Sequence, residues 1–205
     1  MDALIILIFS YILFFSLDLI FRGNKKQNKT NTNRTDKPST TLTIPREERE
    51  RRQREKAVEI RIHNFWEQAY KYVIVFKDAY DIESLREFVY NVWTTRDKVE
   101  SAKDLHSFLE HTVETVYPIR DYNGGYHDFL IEICYLDVSN YDNYKKAVGN
   151  NGVFRIPTKL AILLEKAGRF TEAISFCEYC IANNIPDHGY KSFENRKKHL
   201  EYRLH

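Results

Sequence analysis

Residues 156–186 read IPTKLAILLEKAGRFTEAISFCEYCIANNIP, and their spacing predicts two helices joined by a tight turn. Pro157 suits a first helical position, where a missing N–H costs nothing. Leu160, Ala161, Leu163 and Leu164 then fall on one face. Gly168 fits the left-handed conformation needed just past a helix C-terminus. Phe170, Ala173, Ile174, Cys177, Cys180 and Ile181 follow at three- and four-residue spacing, so the second helix turns an apolar face to the first. Small Ala161 opposite small Ala173 lets the two backbones approach closely.

The pattern resembles the tetratricopeptide repeat, an antiparallel helix pair of about 34 residues with small residues where its helices cross. Leu160, Ala161, Leu164, Gly168, Phe170, Ala173, Cys177, Cys180 and Pro186 stand where that family keeps large, small, large, turn, aromatic, small, medium, small and terminating residues. Pro186 lies one place late, and Pro157 stands near where the family has an aromatic. The resemblance covers about one unit; a fainter one precedes it, since Leu130, Ile131, Cys134 and Val138 fall on Ala173, Ile174, Cys177 and Ile181 when overlaid. The resemblance implies a protein-binding groove on the exposed side of the first hairpin helix, which here is Arg155, Thr158, Ile162 and Glu165.

Outward from the hairpin, the N-terminal residues 3–21, ALIILIFSYILFFSLDLIF, carry Asp18 as their one charge. At about 1.5 Å per residue such a helix spans a hydrocarbon core of about 30 Å, so a transmembrane anchor over 1–22 is expected, in contact with the bilayer through 3–21. No Lys or Arg precedes the run, which disfavours a cleaved signal peptide. Arg22, Lys25, Lys26, Lys29, Arg34 and Lys37 follow it, so the positive-inside rule puts the N-terminus outside and the rest in the cytoplasm. Residues 23–44 are polar and basic, a disordered linker by composition.

Residues 45–56 alternate Arg and Glu, a solvated helix held by side-chain pairs one turn apart. From Ala57 the helix becomes amphipathic through Val58, Ile62, Phe65, Trp66, Ala69, Val73, Phe76 and Tyr80, opening a helical bundle over 57–122. Tyr72–Val–Ile–Val–Phe76 has strand-like composition, but its helical flanks and lack of Gly or Pro favour helix. Further helices are expected from about residue 82 and about residue 102, the latter stopped by Pro118. Asn123-Gly-Gly breaks the chain before the repeat-like region 123–205, which ends in a capping helix with Phe193, Leu200 and Leu204 inward and Arg196 among the outward bases.

A net charge of +2 argues against a dedicated nucleic-acid binder. Three cysteines make no disulfide framework; Cys177 and Cys180 have metal-ligand spacing but continue an apolar face. No metal, cofactor or catalytic motif emerges, and the pairs His106–Glu110 and His111–Glu114 read as ordinary helix-surface neighbours. The expectation is an all-α, single-pass membrane protein that acts as an adaptor or scaffold, not an enzyme, and holds a partner protein at the cytoplasmic membrane face. Two alternatives stay open: an effector or enzyme with a dispersed site, marked by a perturbed His or carboxylate in a pocket within 57–150, and a membrane-associated nucleic-acid binder.

Overall fold

The computed structural model describes residues 45–122, 124–149, 153–189 and 191–204. The chain divides into two units, Met1–Pro45 and Arg46–His205, and the described helices all belong to the second. Among the described residues 81% are helical and none is in a strand. The helices are α1 (Arg46–Asp78), α2 (Ile82–Thr95), α3 (Ala102–Val116), α4 (Gly124–Ser139), α5 (Tyr141–Val148), α6 (Ile156–Lys166), α7 (Phe170–Ala182) and α8 (Phe193–Leu204), with a short 3-10 turn at Tyr117–Ile119.

The first half of α1 is held by ion pairs along its own surface. Arg46 meets Glu50 at 2.8 Å, and Glu48 meets Arg51 and Arg52, each at 2.9 Å. Packing takes over at Phe65, where the helix joins the core through Trp66, Ala69 and Val73. Tyr80 ends it at φ 55°, and the Asp81 amide closes back on the Phe76 carbonyl at 3.1 Å. Asp81 then caps α2 by accepting from the Ser84 amide at 3.0 Å.

Each later helix packs on those before it. Phe108 of α3 meets Trp66 and Tyr70 of α1, and Phe88 of α2 meets Phe76. Helix α4 lies against α2, α3, α5 and α6; α7 packs on α6, and α8 on α7. Asn140 separates α4 from α5. In the hairpin, Gly168 takes φ 73° and the Arg169 amide bonds back to the Leu164 carbonyl at 3.0 Å. Ala161 and Ala173 are both fully buried on helices that pack together.

Several expectations are corrected. No helix among the described residues is long and apolar enough to cross a membrane, because the longest, α1, is charged through most of its first half. Among the described residues the fold is therefore all-helical with no membrane-spanning helix, which overturns the expected single-pass placement with its outside N-terminus and cytoplasmic domain. Residues 3–21, on which that expectation rests, lie outside the described residues. The core begins at Phe65 instead of Ala57, since Val58 and Ile62 are exposed, and so is Tyr80. On α8, Leu204 is exposed while Arg196 is buried, drawn in by Glu165.

Filling the close crossing of α6 and α7 should destabilise the fold. Ala161→Leu is expected to lower unfolding free energy by about 1–3 kcal/mol, measured as a reduced urea midpoint at unchanged slope. Unchanged stability would mean that the two helices have room between them.

Candidate functional site

The four residues at which the sequence places a partner groove do not share one open surface. Arg155 is exposed and Ile162 half-buried. Thr158 is buried, and its hydroxyl donates to Asp187 Oδ1 at 3.2 Å and accepts from the His188 amide at 3.3 Å. Gly189 comes so close that an added Cβ would lie 2.8 Å from Thr158 Cγ2. Glu165 faces α8, accepting from Arg196 Nη1 at 2.7 Å and Arg203 Nη1 at 3.4 Å, with His199 Nε2 at 4.0 Å. The chain's own C-terminal segment thus occupies Thr158 and Glu165, because an anion on α6 and bases on α8 meet across the turn that follows α7.

The opposite end of the fold is open. Residues 46–64 of α1 run ahead of the bundle, and at about 1.5 Å per residue they project roughly 28 Å. Val58, Ile60 and Ile62 are 53%, 60% and 46% exposed there. Val58 and Ile62 stand in line with Phe65 and Ala69, so the stripe that forms the core lower down continues upward with no helix covering it among the described residues.

The second feature is buried. His106 of α3 donates from Nδ1 to Asp137 Oδ2 of α4 at 2.8 Å, and both side chains are almost wholly enclosed. Glu110 Oε2 stands 3.8 Å from Nε2, on the other side of the ring. Tyr144 and Phe154 stack over the imidazole, with ring centroids at 4.1 and 4.9 Å. Burial pulls the His106 pKa down, but the hydrogen bond and charge of Asp137, helped by Glu110 and the Val153 backbone, outweigh it and raise the pKa above its ordinary value. Burial pushes the Asp137 carboxyl up to about 6, against the downward pull of His106. Both shifts have one meaning for the pair: it holds a proton more tightly folded than unfolded.

Nothing in the sequence spacing joins these two residues. His106 and Glu110 sit one turn apart and read as surface neighbours, while Asp137 lies on a different helix. The signal that points to the pair is a carboxylate inside the otherwise apolar run of α4. A cleft of about 210 Å³ lies beside it, lined by Tyr141, Tyr144, Lys145, Val148, Phe154 and Pro186 among others, but neither His106 nor Asp137 reaches its wall.

The three thiols are free and buried. Burial raises Cys177 to about 11 and Cys180 to about 12, and Cys134 is raised too, so none forms a thiolate near neutral pH. Among the described residues no three His, Cys, Asp or Glu side chains converge to hold a metal ion. Comparison of the chain with protein-family models, with curated proteins and with solved structures finds no match.

The buried pair makes stability depend on pH with a definite sign. Because the folded state binds more protons, unfolding free energy falls as pH rises. The Asp137 contribution is full below 3.8 and lost by about 6. The His106 contribution is full below 6.5 and lost as pH rises through its raised pKa. Urea midpoints are expected to fall from about pH 6 toward about pH 9, and less steeply in Asp137→Asn. Removing the cation instead, in His106→Gln, leaves an unpaired buried carboxylate and should cost about 3–5 kcal/mol at neutral pH. A pH profile identical in wild type and Asp137→Asn would overturn the assignment.

Proposed function

We propose that this chain is a helical protein-interaction module, whose work is to bind another protein and not to transform a small molecule. The observation that carries the reading is the projecting half of α1: nineteen residues, 46–64, stand outside the core with Val58, Ile60 and Ile62 in solvent. An apolar stripe that outruns its own bundle is a feature of helices that pack on a partner. The tetratricopeptide-like residue pattern of the hairpin is in keeping with this, since helix pairs of that kind serve as binding scaffolds.

The rival catalytic reading asks for perturbed groups that a substrate can reach. The His106–Asp137 pair is perturbed but roofed by Tyr144 and Phe154, so it fits a role in holding α3 to α4. The buried thiols fit packing in the same way.

The test uses the tagged full-length chain as bait, with and without an excess of untagged chain as competitor. At least one protein should be retained in a saturable way and released by the competitor. Its retention should drop at least about tenfold in a Val58→Asp, Ile60→Asp double variant, which alters two sides of the projecting helix. A bound set unaffected by the competitor, or no bound protein, would overturn the reading.

A further inference from the structure

The point where α1 leaves the bundle combines two observations of different kinds. One is apolar: Val58, Ile62 and the half-buried Phe65 continue at helical spacing the stripe that α3 covers lower down. The Arg96 side chain at the end of α2 reaches the Phe65 ring, and Ile62 and Val58, about one and two turns above it on the stripe, are 46% and 53% exposed.

The other is electrostatic. The Arg96 guanidinium lies 3.5 Å from the Phe65 ring centroid and 6.0 Å from that of Trp66. Its Nε is buried without a hydrogen-bond partner among the described residues. Two residues on, Lys98 Nζ stands 4.2 Å from the Trp93 ring centroid and donates to the Arg96 carbonyl at 3.1 Å. Burial lowers the pKa of both, for Lys98 against the pull of Asp97. Among the described residues neither cation is within ion-pair distance of a carboxylate. Asp97 between them is engaged elsewhere, accepting from the Val99 and Glu100 amides at 2.8 Å each. Two partly desolvated cations therefore sit fixed on aromatic faces, positioned for an anion that the described residues do not place within ion-pair distance.

We propose that the ledge of Val58, Ile62 and Phe65, with Arg96 and Lys98 at its foot, docks an acidic amphipathic helix of a partner protein. The partner's apolar stripe covers the ledge along the line of α3, and its carboxylates meet the two cations. The inference rests on the interaction-module reading and names the chemistry of the partner. A helix fits because the open positions recur at four and three residues, the spacing that α3 already matches below. Acidity fits because, among the described residues, neither cation has a carboxylate within ion-pair distance. A second copy fits less well, since its own projecting segment interleaves Arg51, Arg52, Arg54 and Lys56 with its acids.

The test measures fluorescence anisotropy of a labelled helical peptide against the full chain. The probe is a synthetic amphipathic peptide of about three heptads with Leu at a and d and Glu at e and g. A charge-reversed peptide carries Lys in place of every Glu. The Glu peptide should bind saturably and the Lys peptide at least about tenfold more weakly. Ile62→Asp and the Arg96→Gln, Lys98→Gln pair should each weaken the Glu peptide by at least about tenfold, with circular dichroism showing intact helix in both variants. Equal binding of the two peptides, unchanged binding by Ile62→Asp, or no binding of the Glu peptide would overturn the proposal. So would a dimer of the chain that Ile62→Asp dissociates, which would make the occupant a second copy. A partner retained saturably by wild type and equally by Ile62→Asp would remove this docking site and leave the interaction-module reading standing.

Discussion

Helix α4 is buried on nearly every side, and that constraint organises the unit. Tyr126, Phe129, Leu130, Ile131, Ile133, Cys134 and Val138 are all enclosed, which no amphipathic surface helix would be. One side keeps Asp128 and Ser139 exposed, and α2, α3, α5 and α6 cover the rest. The arrangement then raises the stakes for Asp137, the carboxylate on the same helix. Left ionised and alone in that interior it would be very costly, so the fold brings His106 to it from α3 and closes the imidazole under Tyr144 and Phe154. The pair ties the central helix to its neighbour in one register. Two other polar ties act nearby: His127 of α4 donates to the Leu163 carbonyl of α6 at 2.9 Å, and Tyr135 donates to Glu172 of α7 at 2.8 Å.

The C-terminal end follows a related logic. Helix α8 packs on α7 through Phe193 and Phe176, yet its Arg196, His199 and Arg203 all converge on Glu165 of α6. One carboxylate thereby gathers three bases and turns α8 back over the hairpin. The face that a helix-pair scaffold would offer to a partner is here partly used to seat the chain's own last helix. Among the described residues, packing runs out at the start of α1, where Val58, Ile60 and Ile62 are exposed.

How much of this was legible in the sequence depended on the range of the interaction. Periodicity marks the helices and the Gly168 turn because those features are set by residues within one or two turns of each other. Strand-like Tyr72–Phe76 resolved to helix for the same reason. The limit of the core on α1 was not legible: Val58 and Ile62 belong to the same stripe as Ala69 and Val73, and only the position of α3 decides which of them are covered. Arg196 escaped because a basic residue on a basic helix carries no mark of the single acid it will meet. The His106–Asp137 pair escaped because its partners are brought together by the crossing of two helices, and the groove at Thr158 and Glu165 was misplaced because the return path of residues 187–203 has no signature in their composition. Residues 3–21 show the converse, a strong compositional pattern lying outside the described residues.

The projecting half of α1 has a physical consequence of its own. An isolated helix must nucleate its first turn against chain entropy, which makes helices shorter than about 12–15 residues marginal in water. Here the nucleus is supplied by the core: Trp66, Ala69 and Val73 fix the lower turns, and the upper turns propagate from them, reinforced by ion pairs along the surface. The exposed stripe at Val58 and Ile62 is therefore held in helical form before any partner arrives, and Phe65 is held beneath the Arg96 guanidinium. On the proposed reading, the ordering that a disordered segment would undergo on binding is already complete, so a larger part of the contact energy would remain as affinity. The same ion pairs that make the segment polar enough to stand in water are what keep its two apolar residues aligned.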